Sequence, residues 1–415
     1  MHLLKGQPRG LTGGAEPVDL EQSPGDIVIL TAADTEIAGL AAARRALGRP
    51  FPSVRLANWM ALAHPYSVDL YGETVLARAK LVVIRLLGGA SFWRYGLDEA
   101  ARLARANAAK LVVVPGDATW DPALAGHGTV PDGDARRLWS YLVEGGSENL
   151  VNALRYCAYL IDEGEEPGEA RTLPSAGLGR GALDHPSSAL RQNRRAPSPT
   201  GGEGLAQAAR PEPTSPIAAI VFYRALMQAG QTEPVDALCK ALAERGLRPM
   251  PLYVSSLKAK EDADFVARIF AEHAPAVVLN ATAFALSRPG GAFAGTVLDG
   301  AERPVLQVMF AGASEEAWAA SSRGLSPADL TMNVVLPEVD GRIVTRAVSF
   351  KEAEALDPLT ECRPVRYRPK ADRVDFVADL AARWARLRAT PNAKKRVAIV
   401  LSNYPNRDGR IANGV

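Results

Sequence analysis

Cysteine is scarce: Cys157, Cys239 and Cys362 are the three in 415 residues, odd in number and far apart. That spacing excludes a zinc ribbon and a disulfide framework, and it suits a reducing cytoplasm. The five histidines (His2, His64, His127, His185, His273) never reach metal-ligand spacing, and neither H-E-x-x-H nor C-x-x-C occurs. No G-x-x-x-x-G-K-[ST] occurs either, so the chain spells no P-loop to cradle ATP phosphates. Long apolar runs are missing too. Runs such as Leu81–Ile84, Leu111–Val114 and Ile217–Tyr223 fall far short of the roughly 20 residues a membrane helix needs. The opening residues contain no apolar core or cleavage site, so no secretion signal is read and a cytoplasmic protein is expected. Neither sign of charge dominates, with 48 basic residues against 46 acidic ones. Residues 171–216 hold six Arg against Asp184, Glu203 and Glu212, leaving the rest at −1. Such a balance lays no electrostatic footprint for nucleic acid. Neither nucleic acid nor membrane is expected as a partner.

What is present points to a multi-domain α/β protein. The length predicts two to four domains of roughly 100–200 residues. With 47% hydrophobic and 23% charged residues, there is enough apolar side chain for several cores. Residues 171–216 stand apart, carrying seven Pro and six Gly in 46 positions with no apolar period. Such a segment cannot bury enough surface to offset its ordering entropy, and it reads as a disordered linker.

On both sides of it, strand-like runs alternate with amphipathic stretches. Before it come runs at Asp26–Leu30, Lys80–Leu87 and Leu111–Val114, with helical patterns ending near Leu47 and over Asp98–Lys110. Two further helical patterns, Asp134–Val143 and Glu148–Ile161, close that half. After it come runs at Ile217–Tyr223, Pro251–Ser255, Ala276–Asn280 and Pro304–Phe310, with helices after Thr232 and over Asp262–His273. This alternation predicts parallel sheets covered by helices on both faces. Met332–Leu336 and Arg342–Ser349, separated by Pro337–Gly341, predict a β-hairpin. A charged helix at Asp372–Arg388 leads to a last apolar run, Arg396–Ser402, with 13 residues after it. One strand cannot bury both its faces. The chain therefore reads as the front part of a longer protein.

The expected architecture is α/β: two Rossmann-like parallel-sheet lobes joined by the linker, plus the truncated start of a further α/β domain. The expected boundaries are a flexible 1–23, a first domain at 24–170, the linker at 171–216 and a second domain at 217–350. A helical connector at 351–393 and the cut domain at 394–415 complete the division.

Three loops at predicted strand ends are placed where parallel sheets hold ligands. In the first, Arg85–Tyr95, Arg85 could meet a carboxylate and Trp93 offers a flat face; aromatic packing around a salt-bridged Arg85 is the plainer reading. In the second, Glu338 and Asp340 lie two apart beside Arg342, a set that can accept protons or bind a divalent cation. It equally suits an ordinary acidic turn. The third, Ser402–Arg410, follows a strand-like run directly with nine polar, Gly, Pro or aromatic positions. Turn and ligand loop both stay open there.

Two stretches bear a resemblance. They are Ser326-Pro-Ala-Asp-Leu-Thr-Met-Asn-Val-Val-Leu-Pro-Glu-Val-Asp-Gly-Arg-Ile-Val-Thr-Arg346 and Leu401-Ser-Asn-Tyr-Pro-Asn-Arg-Asp-Gly-Arg-Ile-Ala-Asn-Gly-Val415. The sequence resembles the large-subunit family of aerobic cobaltochelatases (CobN type), which is related to the H subunit of magnesium chelatase. Phe222–Ala225, Pro234–Leu238, Val278–Phe284 and Arg85–Gly89 with Trp93–Gly96 support it. The resemblance implies insertion of Co2+ into hydrogenobyrinic acid a,c-diamide, a corrin precursor of cobalamin. It also implies two ATPase-type partner subunits that hydrolyse the ATP in place of this chain. Glu338 would then be proton acceptor or metal guide, with Asp340 and Arg342 orienting it and Asp340 counted with it as catalytic. Arg85, Trp93, Arg342, Asn403, Tyr404, Asn406, Asp408 and Arg410 would contact the macrocycle. The fragment alone would be inactive. Without the resemblance, a two-lobed nucleotide-sugar or small-ligand binder and a docking scaffold for ATPase subunits stand as rivals.

Overall fold

A computed structural model describes residues 16–179, 214–287, 295–300 and 303–400. The first sheet is built from β1 (Ile27–Thr31), β2 (Val54–Ala57), β3 (Leu81–Leu86) and β4 (Lys110–Pro115), all parallel in the order β2-β1-β3-β4. Its helices are α1 (Asp34–Leu47), α2 (Pro65–Thr74), α3 (Arg94–Ala106), the short α4 (Pro122–Ala125), α5 (Asp132–Glu144) and α6 (Gly146–Leu160). The strands are apolar at nearly every position because both faces are covered. Ile27, Ile29, Leu81 and Val83 feed one core under α1, α5 and α6, while Val28, Leu30, Val82 and Ile84 feed the other under α2 and α3. α1 carries Asp34 and Glu36 in its first turn and Arg44 and Arg45 in its last, matching the helix dipole at both ends.

The second sheet has seven strands in the order β11-β10-β9-β8-β6-β7-β5. They are β5 (Ala176–Leu178), β6 (Ile217–Tyr223), β7 (Arg248–Val254), β8 (Val277–Asn280), β9 (Val305–Phe310), β10 (Ile343–Ala353) and β11 (Val365–Pro369). The two edge strands, β5 and β11, pair antiparallel and the interior pairs are parallel. Covering it are α7 (Arg224–Gln228), α8 (Glu233–Glu244), α9 (Lys260–His273), α10 (Glu315–Ala320), α11 (Pro327–Leu330), α12 (Leu336–Glu338) and α13 (Ala371–Ala389). Alternation again divides the strands between two cores, Ala218, Ile220 and Phe222 facing α8 and α13, and Ala219 and Val221 facing α9. Two sheet-centred α/β lobes are present, as expected.

Three expectations change. Met332–Leu336 is helical, a π-turn at Thr331–Val335 running into α12, so no hairpin joins it to Arg342–Ser349. Ser326 starts this helical run, its Oγ accepting from Asp329 N at 3.1 Å with Pro327 in the first turn, and that outweighs the β-branched Val334-Val335 pair. The hairpin partner of β10 is β11. Second, the residues from Arg171 onward do not leave the fold. Asn149 exchanges hydrogen bonds with the Arg171 backbone at 2.8 and 2.9 Å, and β5 pairs with β7 inside the expected linker. Residues 180–213 lie outside the described residues. Third, residues 395–400 pair with no strand among the described residues, and Val397, Ile399 and Val400 are 82%, 81% and 92% exposed. The expected last strand is not formed across them.

The lobes are fastened by residues 354–364, the connection between β10 and β11. Leu56 N of the edge strand β2 donates to Thr360 O at 3.2 Å, which covers that edge. Asp357 takes Arg45 of α1 at 2.5 Å, Glu361 takes Arg55 of β2 at 3.0 Å, and Cys362 joins the first lobe's core. On the other side, Gln228 Nε2 donates to Val143 O at 2.5 Å and Arg224 pairs with Glu144 at 3.0 Å. The chains approach so closely at Gly145 (φ 62°) that a Cβ there would lie 2.7 Å from Gln228 Cβ. Asp357 also accepts from Leu359 N at 2.9 Å while its side chain is almost fully buried. Asp357→Ala is expected to lower the unfolding free energy by about 1–3 kcal/mol, read as an earlier midpoint in urea.

Candidate functional site

Ligands of parallel sheets collect beyond the carboxyl ends of the strands, where successive crossovers turn to opposite sides. In the first sheet that point lies beyond β1, flanked by β2 and β3; in the second it lies beyond β6, flanked by β7 and β8. The two points face each other across one crevice. Ala32–Thr35 line it from the first lobe, and Tyr223, Ala225, Ala281 and Ala283 from the second. Met332 and Asn333 of the π-turn, Lys351 of β10 and Tyr367 of β11 complete the wall. The cavity measures about 120 Å³, room for on the order of ten waters. It can hold an arm or an edge of a ligand, and a whole macrocycle exceeds it.

Its described lining holds one cation, Lys351, and two carboxylates, Asp34 and Asp329. Asp34, the first residue of α1, accepts from Lys351 at 3.3 Å and from Asn58 Nδ2 at 3.2 Å. The Lys351 ammonium also lies 5.6 Å from the centre of the Tyr367 ring. Burial pushes the Tyr367 and Tyr223 phenols above their ordinary range, so both stay neutral. Tyr223 Oη donates to Ala283 O and accepts from Ala283 N, each at 3.1 Å. Asp329, buried, accepts from Gly312 N at 3.1 Å and from Ser326 Oγ at 2.8 Å. The side chains of Asn333 and Thr35 make no hydrogen bond to any described residue.

A buried polar network supports the floor. Arg342 Nη2 donates to Asp340 at 2.9 Å and Nη1 to Gln307 Oε1 at 3.1 Å. Asn280 donates to the same Gln307 oxygen at 2.8 Å, and Gln307 Nε2 donates to Thr282 O at 2.9 Å. Asp340 further accepts from Leu286 N at 2.7 Å, Ser287 N at 3.0 Å and the Ser287 hydroxyl. Burial alone would raise the Asp340 pKa; the Ser287 and Leu286 bonds and the Arg342 charge outweigh it and hold the carboxyl below its usual range. Burial in turn lowers Arg342, partly offset by Asp340. The chain from Ala281 to Ser287, which supplies two lining residues, is thereby tied down at both ends.

Residues 139–415 match the family model described as CobN/Magnesium Chelatase. The chain belongs to the CobN/magnesium chelatase family. It is 46% identical over 421 residues to the aerobic cobaltochelatase subunit CobN of a Sinorhizobium species, covering all of this chain and 32% of that protein. Against the subunit of the same name from Pseudomonas aeruginosa the identity is 40%, with the same coverage. Among solved structures, the catalytic subunit of cobaltochelatase from Mycobacterium tuberculosis matches 94% of this chain and 29% of its own, at 30% identity and a TM-score of 0.63. The chain thus spans about a third of the length of the curated relatives it matches.

Within this CobN-type chain, the site residues expected from sequence scatter. Glu338 ends α12, exposed, with no side-chain partner among the described residues, and it does not line the crevice. Asp340 and Arg342 do not orient it. They are 2% and 5% exposed and bond each other, so they are positioning residues of the floor rather than groups in reach of substrate. Arg85, expected to meet a ligand, is buried in β3, paired with Glu36 and bonded to Pro115 O and Gly116 O at 3.2 Å each. Trp93 is buried as well, stacked on Trp59 at 6.0 Å with its indole N–H on Leu62 O at 3.0 Å. Both serve the first lobe's core. Asn403, Tyr404, Asn406, Asp408 and Arg410 lie outside the described residues.

The residues that do line the crevice were missed by reading loops one at a time. Asp34 and Thr35 open α1 shortly after a strand-like run, and that strand-end position was their one signal. Nothing local marks Lys351 or Asn333.

The lowered Asp340 pKa carries a sign. Its stabilisation is present above the ordinary carboxylate value of about 3.9 and is lost as pH falls through the lower folded value. Asp340→Ala leaves Arg342 buried without its carboxylate and is expected to cost about 3–5 kcal/mol near neutral pH. The gap to the unaltered chain should narrow below about pH 4 in denaturant titrations run across pH.

Proposed function

We propose that this chain supplies part of the ring-holding surface of an ATP-dependent cobaltochelatase, with the inter-lobe crevice gripping the edge of the corrin precursor. The reaction inserts Co2+ into hydrogenobyrinic acid a,c-diamide on the route to cobalamin, in the cytoplasm, while two ATPase-type partner subunits hydrolyse ATP. One observation carries the reading: two strand-end switch points converge on a single crevice in a chain whose relatives bear the name cobaltochelatase.

The chemistry asks for three things. The ring must be held by its polar periphery, its two inner N–H protons must leave, and the cation must exchange water for other ligands. The crevice answers the first with Lys351, Asn333 and the first turn of α1. For the second, Glu338 is the exposed carboxylate among the residues expected from sequence, with no side-chain partner among the described residues. In the assembled chelatase, Glu338→Gln is expected to slow cobalt insertion by about a hundredfold while the ring binds as before. An unchanged rate removes Glu338 from the proton path.

The same facing of two switch points suits a nucleotide-sugar, which serves as the control ligand. Adding hydrogenobyrinic acid a,c-diamide to the chain should shift the corrin visible bands saturably. A uridine diphosphate sugar should neither compete nor bind on its own. An unshifted spectrum, with the nucleotide-sugar bound, overturns the chelatase reading of the crevice.

A further inference from the structure

The end of the second lobe away from the crevice carries a strong positive charge. Ala381 and Ala385 of α13 share a core with Val277 and Leu306, so that helix ends over the starts of β8 and β9. From Leu380 to Val400 the chain holds Arg383, Arg386, Arg388, Lys394, Lys395 and Arg396, and no Asp or Glu. All six are exposed. Cations in a last helical turn complement the helix dipole, which accounts for Arg386 and Arg388. Lys394, Lys395 and Arg396 lie beyond the helix, where the dipole no longer acts. Arg386, Lys394, Lys395 and Arg396 form no ion pair with any described residue. The carboxylates upstream on α13, Asp375 and Asp379, are held by Arg245 at 3.1 and 2.6 Å. Glu272, at the end of α9, lies 3.7 Å from His273.

Behind this surface stands Arg303, 8% exposed and stacked over the Phe270 ring at 4.9 Å. Its Nε and Nη1 have no hydrogen-bond partner. Arg55, Arg85 and Arg342 are buried too, and each faces a carboxylate. Burial lowers the Arg303 pKa below its ordinary range, and the like charge of Arg388 lowers it further. Glu302 lies outside the described residues. An anion held close by would relieve that repulsion without touching the buried guanidinium.

We propose that the end of α13 and the residues after it, with Arg303 behind them, form a docking surface for a protein segment rich in aspartate and glutamate. Carboxylates spaced along such a segment match guanidinium forks and ammonium groups spread over a helical turn and the chain beyond it. A longer polyanion fits less well. Away from these six cations the chain holds 42 basic residues against 46 acidic ones, so a nucleic acid or a lipid surface would soon meet an acidic body. Asp372, Asp375 and Asp379 already stand on the same helix. The surface lies at the strand starts, so a partner seated there leaves the crevice open.

The test is the fluorescence anisotropy of a labelled oligoglutamate peptide titrated with the full chain. An oligothymidylate of equal charge and phosphatidylserine vesicles are run beside it. The peptide should bind more tightly than either, and less tightly as salt rises. Arg386→Glu, Lys394→Glu and Arg396→Glu combined change only exposed side chains without ion pairs, and circular dichroism checks that the variant is folded. The combination should weaken the peptide by about a hundredfold. Three reversals elsewhere on the surface, Arg94→Glu, Lys240→Glu and Lys258→Glu, change the net charge equally and should leave peptide binding nearly as it was. Absence of peptide binding overturns the proposal, as does tighter binding of the oligonucleotide or the vesicles. Binding that survives the first triple reversal overturns it too, since the peptide then sits elsewhere, as on the Arg-rich residues 171–216. Equal losses in both triple variants reduce the effect to net charge and overturn the surface.

Discussion

The loop from Glu354 to Pro364 sets the relation between the two sheets, and the crevice exists because of that relation. Asp357 on Arg45, Glu361 on Arg55 and Thr360 on the β2 edge place the loop against the first lobe from one side. Gln228 and Arg224 clamp the α5–α6 corner from another. Cys362 then enters the first lobe's own core, so separating the lobes would expose apolar surface as well as break ion pairs. Partly solvated pairs such as Glu361 on Arg55 contribute little singly, whereas Asp357 is almost fully buried. A buried apolar anchor ringed by several of them gives a joint that does not slide.

Beneath the crevice the argument is about paired burial. Asp340 and Arg342 are costly to desolvate, and their mutual attraction balances that cost only with further hydrogen bonds from Ser287, Leu286 and Gln307. The network does not strengthen the fold beyond what an apolar cluster of the same volume could. What it does is fix the path of residues 281–287, whose amides must meet one carboxylate at defined distances. The floor of the crevice is placed by directional bonds, and its walls by shapeless packing.

Periodicity made most of the fold legible. Parallel strands read as unbroken apolar runs because both faces are buried, and β1, β3, β4, β6, β8 and β9 were all visible in that way. β2, with Arg55 in four residues, and β5, with three residues in a Pro/Gly-rich stretch, carry no such run and were not. Met332–Leu336 misled because β-branched residues favour strands only where a neighbouring strand exists, and a capped helix start lay upstream. The site was far less legible. Spacing of two between Glu338, Asp340 and Arg342 suggested one constellation, yet the tight turn at Gly341 sends Glu338 to solvent and the other two inward. Asp34 and Lys351 are 317 positions apart, and only the joint between lobes brings them together.

That joint also explains how an ion pair can lie in a binding crevice without being needed to build it. The lobes are held by the 354–364 loop and by the α5–α6 corner, so the Asp34–Lys351 contact carries little of the load between them. Its members are partly solvated, at 28% and 15% exposure, and each has a second partner, Asn58 for the acid and the Tyr367 face for the base. A ligand can therefore take one hydrogen bond from either without stranding a buried charge. A pair that closed the lobes would have to stay closed, whereas this one can open without parting them.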